Sequence, residues 1–134
     1  MPQEYRLQTA LLTMGLLSAL LGCGNAAWKE GGLYYTQNND GSYSVVKILK
    51  IDELGVHVRH YSNQFPNPPT NVPENTLYLA GVDHKPGEQL AMGHLPLSKK
   101  SFERLKPVFF QQSKVSDEEL EGYKIWLDEK GGYF

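Results

Sequence analysis

Nine residues, YSVVKILKI at Tyr43–Ile51, constrain the fold of this chain most. The run is dense in β-branched and aliphatic side chains and long for a strand. Alternation puts Val45, Leu49 and Ile51 on one face and Val46 and Ile48 on the other. A strand that is apolar on both faces has to bury part of each. That suits a small barrel or a strongly bent antiparallel sheet, where one long strand serves two layers. Turn signals flank it. Asn38-Asn39-Asp40-Gly41 precedes it, and Asp-Gly favours a tight hairpin because such turns need φ > 0. Asp52-Glu53-Leu54-Gly55 follows it. Before the first turn, residues 33–36 read as a strand. After the second, residues 56–61 alternate, with Val56, Val58 and His60 on one side and His57, Arg59 and Tyr61 on the other.

The rest of the chain adds short elements around this meander. Residues 62–73 carry Pro66, Pro68, Pro69 and Pro73, too many for a helix or a central strand, and are expected to form an ordered long loop. Residues 76–80 read as a short strand and residues 81–92 as loop. Ser98 is an N-cap for a short helix over 99–105 that Pro107 ends. Val108–Gln112 is a further strand. Ser116 with Glu119 forms a capping box for a helix running to about Asp128. Leu120, Tyr123 and Leu127 are its expected apolar stripe, with Trp126 at the edge, and Gly131-Gly132 stops it. The expected class is mainly β with a C-terminal helix (α+β), in one domain over residues 31–134, since 134 residues leave no room for a second large core. The aromatic pair Tyr133-Phe134 is expected either to dock on the body or to form an exposed contact.

Residues 7–21 are an apolar run too short to span a bilayer comfortably and of the right length for the core of a secretory signal. Leu20-Leu21-Gly22-Cys23 comes next, and Cys23 is the chain's single cysteine. Leu20, Gly22 and Cys23 match the lipobox, and the segment resembles a bacterial lipoprotein precursor. The resemblance implies a signal peptide over residues 1–22, a lipidated tether over residues 23–30, and diacylglycerol, with palmitate-type acylation, on the Cys23 thiol. Each buried methylene contributes about 0.8 kcal/mol, so two or more chains hold stably where one does not. Gly24 takes the place where an Asp commonly retains Gram-negative lipoproteins in the inner membrane. The expected location is therefore the cell envelope, on the periplasmic face of the outer membrane in a Gram-negative host. Two alternatives stay open: an ordinary buried helix over residues 7–21, and ordinary signal cleavage near Ala26 or Ala27.

Residues 41–63 also resemble the hairpin core of SH3-like barrels of the Tudor type, with an aromatic-led strand, an acidic turn with Gly and a second strand ending in an aromatic. Such modules use aromatic cages for methylated side chains, and Tyr35, Tyr43 and Tyr61 are the residues this would employ here. The plainer reading is that these tyrosines pack with their hydroxyls in water.

The formal net charge of −2 leaves no general basic field for a phosphate backbone, and no nucleic-acid partner is expected. With one Cys there is no internal disulfide and no cysteine-based metal site. His57 and His60 should point to opposite faces, His84 and His94 read as loop residues, and no metal or cofactor is expected. No nucleophile elbow, P-loop, dinucleotide fingerprint or zinc-protease motif occurs, so the chain is read as a binding module and not as an enzyme. The expected surface is Tyr35, Tyr43, Tyr61 and Phe65 with the 62–73 loop, facing a protein partner in the envelope. Two alternatives are a periplasmic toxin-immunity lipoprotein and an enzyme on cell-wall or lipid substrates. A third is an envelope assembly factor.

Overall fold

A computed structural model describes residues 28–134 except residue 82. The signal segment and Cys23 lie outside the described residues. Five strands form one antiparallel sheet: β1 (Gly32–Gln37), β2 (Tyr43–Ile51), β3 (Gly55–Phe65), β4 (Met92–Ser98) and β5 (Val108–Gln112), in the order β4-β3-β2-β1-β5. The sheet is open, with β4 and β5 at its edges. Helix α1 (Lys99–Arg104) links those edges, and α2 (Glu121–Asp128) follows β5, entered through a 3₁₀ turn at Glu118–Leu120. The class is therefore mainly β with a short C-terminal helix, as the sequence suggests.

The turns form where the sequence asks for them. Gly41 sits at φ +88, and the Asp40 carboxylate accepts from the Ser42 amide at 2.9 Å, which closes β1 onto β2. Asp52 closes the second turn by accepting from the amides of Leu54 and Gly55 at 3.0 and 2.9 Å. Ser98 caps α1, its hydroxyl accepting from the Ser101 amide, and Glu119 and Ser116 exchange the bonds of a capping box.

Both faces of the sheet are covered. On the first, Tyr34, Val46, Ile48, Val56, Val58 and Leu97 surround Phe102 of α1, which is fully buried and meets Tyr34 and Trp28 edge-on. Burying a ring this size contributes about 1.5–3 kcal/mol. On the second, Leu33, Val45 and Tyr61 are lapped by Phe65, Leu77 and Phe110.

Three sequence expectations are corrected here. Ile51 packs with Val46 and Ile48, not with Val45 and Leu49. A register shift between Ile48 and Lys50 inserts an extra residue, and a one-residue slip inverts which face each later side chain takes. Residues 77–80 form no strand. The Ser62 hydroxyl and the Asn63 side-chain Oδ1 accept from the amides of Ala80 and Tyr78, and among the described residues only one backbone bond, from the Ser62 amide to the Tyr78 carbonyl, joins the segment to β3. Conversely, Met92–Ser98 is a strand, so His94 belongs to the sheet and not to a loop. Pro96 is tolerated there because β4 is an edge.

Candidate binding cleft

Two predicted residues meet on the β1–β2 hairpin. Tyr35 and Tyr43 stand edge to face, with ring centroids 5.5 Å apart. They line an open cleft of about 530 Å³ together with Gln37, Asn38, Asn39, Pro68, Arg104, Leu105, Lys106 and Val108. Three pieces of chain build it. The hairpin supplies the tyrosines and amides. The proline-rich loop supplies Pro68, held in place because Gln111 of β5 uses its side-chain amide like a strand, accepting from the Val72 amide at 2.8 Å and donating to the Val72 carbonyl at 2.9 Å. The end of α1 supplies the cations. Lys106, at φ 52, turns the chain toward β5.

The other two predicted residues lie elsewhere. Tyr61 is 5% exposed and packs against Leu33 and Val45. Burial, and then the nearby charge of Glu119, push its phenol far up from the ordinary value. Phe65 is half-buried on the same cluster and fixes the start of the loop. A three-tyrosine cage is therefore not assembled. Arg104 and Lys106 escaped the sequence reading, because cations at the end of a helix answer its dipole and signal nothing more. Among the described residues neither makes an ion pair.

A second concentration of chemistry lies at the far end of β3, under α2. His57 is fully buried. Its Nε2 lies 3.2 Å from Asp52 Oδ2 and 3.0 Å from the Tyr133 hydroxyl, which itself donates to Asp52. With Nε2 donating to that carboxylate, Nδ1 accepts from His94 Nε2 at 2.8 Å. The two imidazoles stack at 9°, and Tyr123, Trp126 and Tyr133 close round the His57 ring with centroids 4.6, 4.5 and 5.3 Å away. A register shift between Val58 and His60 kinks β4 beside His94. Gly122 of α2 lets the helix approach, since a Cβ there would come within 2.6 Å of the His94 Cβ.

Burial lowers the pKa of His57, partly offset by Asp52. Burial, and then the charge His57 can carry, lower that of His94. Burial alone would raise the Asp52 carboxyl. Tyr133, His57 and the Gly55 and Leu54 amides outweigh it, and the group is held below the ordinary value. Four donors fill that carboxylate, and His57 has no open side. The helix stripe is accordingly shifted from expectation: Tyr123 and Trp126 point inward, while Leu127 is 49% exposed beside an apolar hollow bordered by Leu54 and Tyr133. Tyr133 docks inward while the Phe134 ring stays exposed, its backbone bonded to Pro96 and Ser98 of β4.

Between the two regions, Lys47 is 1% exposed and saturated. Its ammonium donates to Glu74 at 2.6 Å, to the Lys114 carbonyl at 2.6 Å and to Glu119 at 3.0 Å. Burial alone would raise the Glu119 carboxyl. The Ser116 amide and Lys47 outweigh it and hold it below its ordinary value. Among the described residues no cluster of three His, Cys, Asp or Glu side chains is arranged to hold a metal ion, and no helix is long and apolar enough to cross a membrane. Compared with protein-family models, characterised proteins and solved structures, the chain matches none.

Proposed function

We propose that this protein is a lipid-anchored binding module of the bacterial cell envelope, tethered through Cys23 and recognising a protein partner through the Tyr35–Tyr43 cleft. One observation carries the binding assignment. The open cleft joins an aromatic pair to two cations without ion-pair partners, while the other polar clusters of the sheet satisfy themselves internally. Tyr and Arg are the residue types that dominate contact energy at protein interfaces. A cleft whose Pro68 wall is pinned by Gln111 also loses little entropy on binding. The lipobox at Leu20-Leu21-Gly22-Cys23 supports the anchor.

The test has two arms. Labelled fatty acid should enter the wild type and not Cys23→Ser; equal labelling of both removes the anchor. A photo-reactive amino acid placed at Asn39, on the cleft, should give a discrete protein adduct in intact cells, and one at Leu54, on the apolar hollow, should not. Adducts only from Leu54, or from neither position, would remove the cleft as the binding site.

A further inference from the structure

Two sets of charged or titratable side chains are packed inside the molecule and a third is exposed at the cleft, and the difference between them identifies what the cleft lacks. Lys47 faces Glu74 and Glu119. His57 faces Asp52. Arg104 and Lys106 face no carboxylate among the described residues, and none of the ten residues lining their cleft is acidic. The chain as a whole carries 15 acidic against 13 basic residues. Two exposed cations gathered beside an aromatic pair, in a net-acidic protein and with no carboxylate in the lining, make a local positive site that an outside anion would complement. The shape of the lining narrows that complement further. A guanidinium presents a planar donor fork that matches a carboxylate with two parallel bonds. Beside it, Tyr35, Tyr43, Leu105, Val108 and Pro68 offer ring and aliphatic surface, with Leu105 40% and Val108 43% exposed. A bare anion would use the cations and leave that surface wet. A polypeptide side-chain pair, one acidic and one aromatic or aliphatic, uses both.

Building on the cleft as the binding site, we infer that it holds an acidic segment of a protein partner. A carboxylate sits on Arg104 and Lys106, and a neighbouring apolar side chain lies against Tyr35, Tyr43 and Leu105. Such an interface associates faster at low salt and loses affinity as salt screens the pair.

The test is a selection of random peptides displayed on phage against the full-length protein in detergent micelles. Selected peptides should be enriched in Asp or Glu next to an aromatic or large aliphatic residue. The best of them should lose about tenfold or more in affinity to Arg104→Gln/Lys106→Gln and to Tyr43→Ala, as truncating hot-spot contacts does. The charge-reversed Arg104→Glu/Lys106→Glu should instead select basic peptides, with its thermal midpoint confirming that it is folded. Peptides without an acidic bias, no selected peptides, or acidic peptides held equally by the double Gln variant would each overturn the inference. A short oligo-uronate or inorganic phosphate binding as tightly as the best peptide would overturn it in favour of a sugar-acid or simple anion site. The broader binding assignment is read separately. An Asn39 adduct that persists in Arg104→Gln/Lys106→Gln keeps the cleft as a partner site and removes only its acidic preference.

Discussion

The Tyr35–Tyr43 cleft and the Lys47–His57 face are made of the same materials: aromatic rings and charged or amide groups on strands of one sheet. In the interior face every polar group is answered from within. Asp52 accepts from four donors, and Lys47 spends its ammonium on two carboxylates and a carbonyl. No buried side-chain nitrogen or oxygen among the described residues lacks a partner. In the cleft the cations are exposed and unanswered. Chemically reactive residue types are therefore a poor guide to which polar groups are left unpaired in this fold. The histidine and aspartate that look most catalytic are packed beneath α2 with their polar atoms paired, and on the proposed reading the plainer Arg104 and Lys106 are the groups that meet a ligand.

If the interior face is structural, breaking it should cost stability. The largest effect is expected at Lys47. Lys47→Met removes the cation, leaving Glu74 without an ion-pair partner and Glu119 with only Arg59, 4.0 Å away. Stripping one partner from a buried ion pair costs about 3–5 kcal/mol. Urea unfolding of the variant should show a loss of unfolding free energy of that size. A shift under 1 kcal/mol, on the order expected for an exposed pair, would place Lys47 in solvent and dissolve the contrast.

Much of this contrast was hidden in the sequence for reasons that lie in particular residues. Local signals worked where the physics is local: Asp40-Gly41, Asp52 to Gly55, the Ser98 cap, the Ser116/Glu119 box and the strand at Val108–Gln112. They failed where tertiary partners decide. Pro96 and Gly93 disguise β4, a strand that forms because β3 offers its edge. The extra residue between Ile48 and Lys50 reverses the faces beyond it, and nothing in an apolar run marks a bulge. His57 and His94 are 37 residues apart and meet only through β3–β4 pairing. In the cleft, Tyr35 and Tyr43 were legible as strand aromatics. Arg104 and Lys106 were not, because only the path of α1 brings them to the hairpin.

A second, smaller break comes from the packing of α2. Gly122→Ala puts a methyl where 2.6 Å separates the position from the His94 Cβ, so the helix or β4 has to move. Overpacking of this kind costs about 1–3 kcal/mol. Near-ultraviolet circular dichroism should lose signal from Trp126 and Tyr123 while the far-ultraviolet β signal persists. Unchanged stability and spectrum would mean that α2 does not seat on His94.

Acid offers a graded version of the same test. His57 and His94 have pKa values lowered in the folded state by burial, so below the unfolded value of 6.5 the unfolded chain binds protons that the native state refuses. Stability should be flat above pH 6.5 and fall as pH drops from there toward the lower folded values, by no more than about 1.4 kcal/mol per pH unit for each group. His60, also lowered by burial, adds to the same window. The lowered Asp52 carboxyl acts separately, its contribution being present above pH 3.8 and lost as pH falls through its lower folded value. Urea midpoints at pH 7.5 and 5.5 should differ in the wild type and differ less in His57→Gln/His94→Gln. An equal pH dependence in both proteins would show that the stacked pair is not what resists protonation.

The smallest effect on stability is expected where the functional effect is greatest. Arg104→Gln/Lys106→Gln removes two exposed charges that no carboxylate answers, and surface changes of this kind stay within about 0.5 kcal/mol. The same substitution should abolish or strongly weaken the adduct formed from Asn39, because the cations are the part of the cleft with no internal use. Loss of stability comparable to that of Lys47→Met would show that Arg104 or Lys106 answers a charge inside the fold, which would make the cleft another interior network. Unchanged stability with the adduct lost sets the two regions apart as the geometry does: one spends its charges on holding α2 to the sheet, and the other keeps them for a partner.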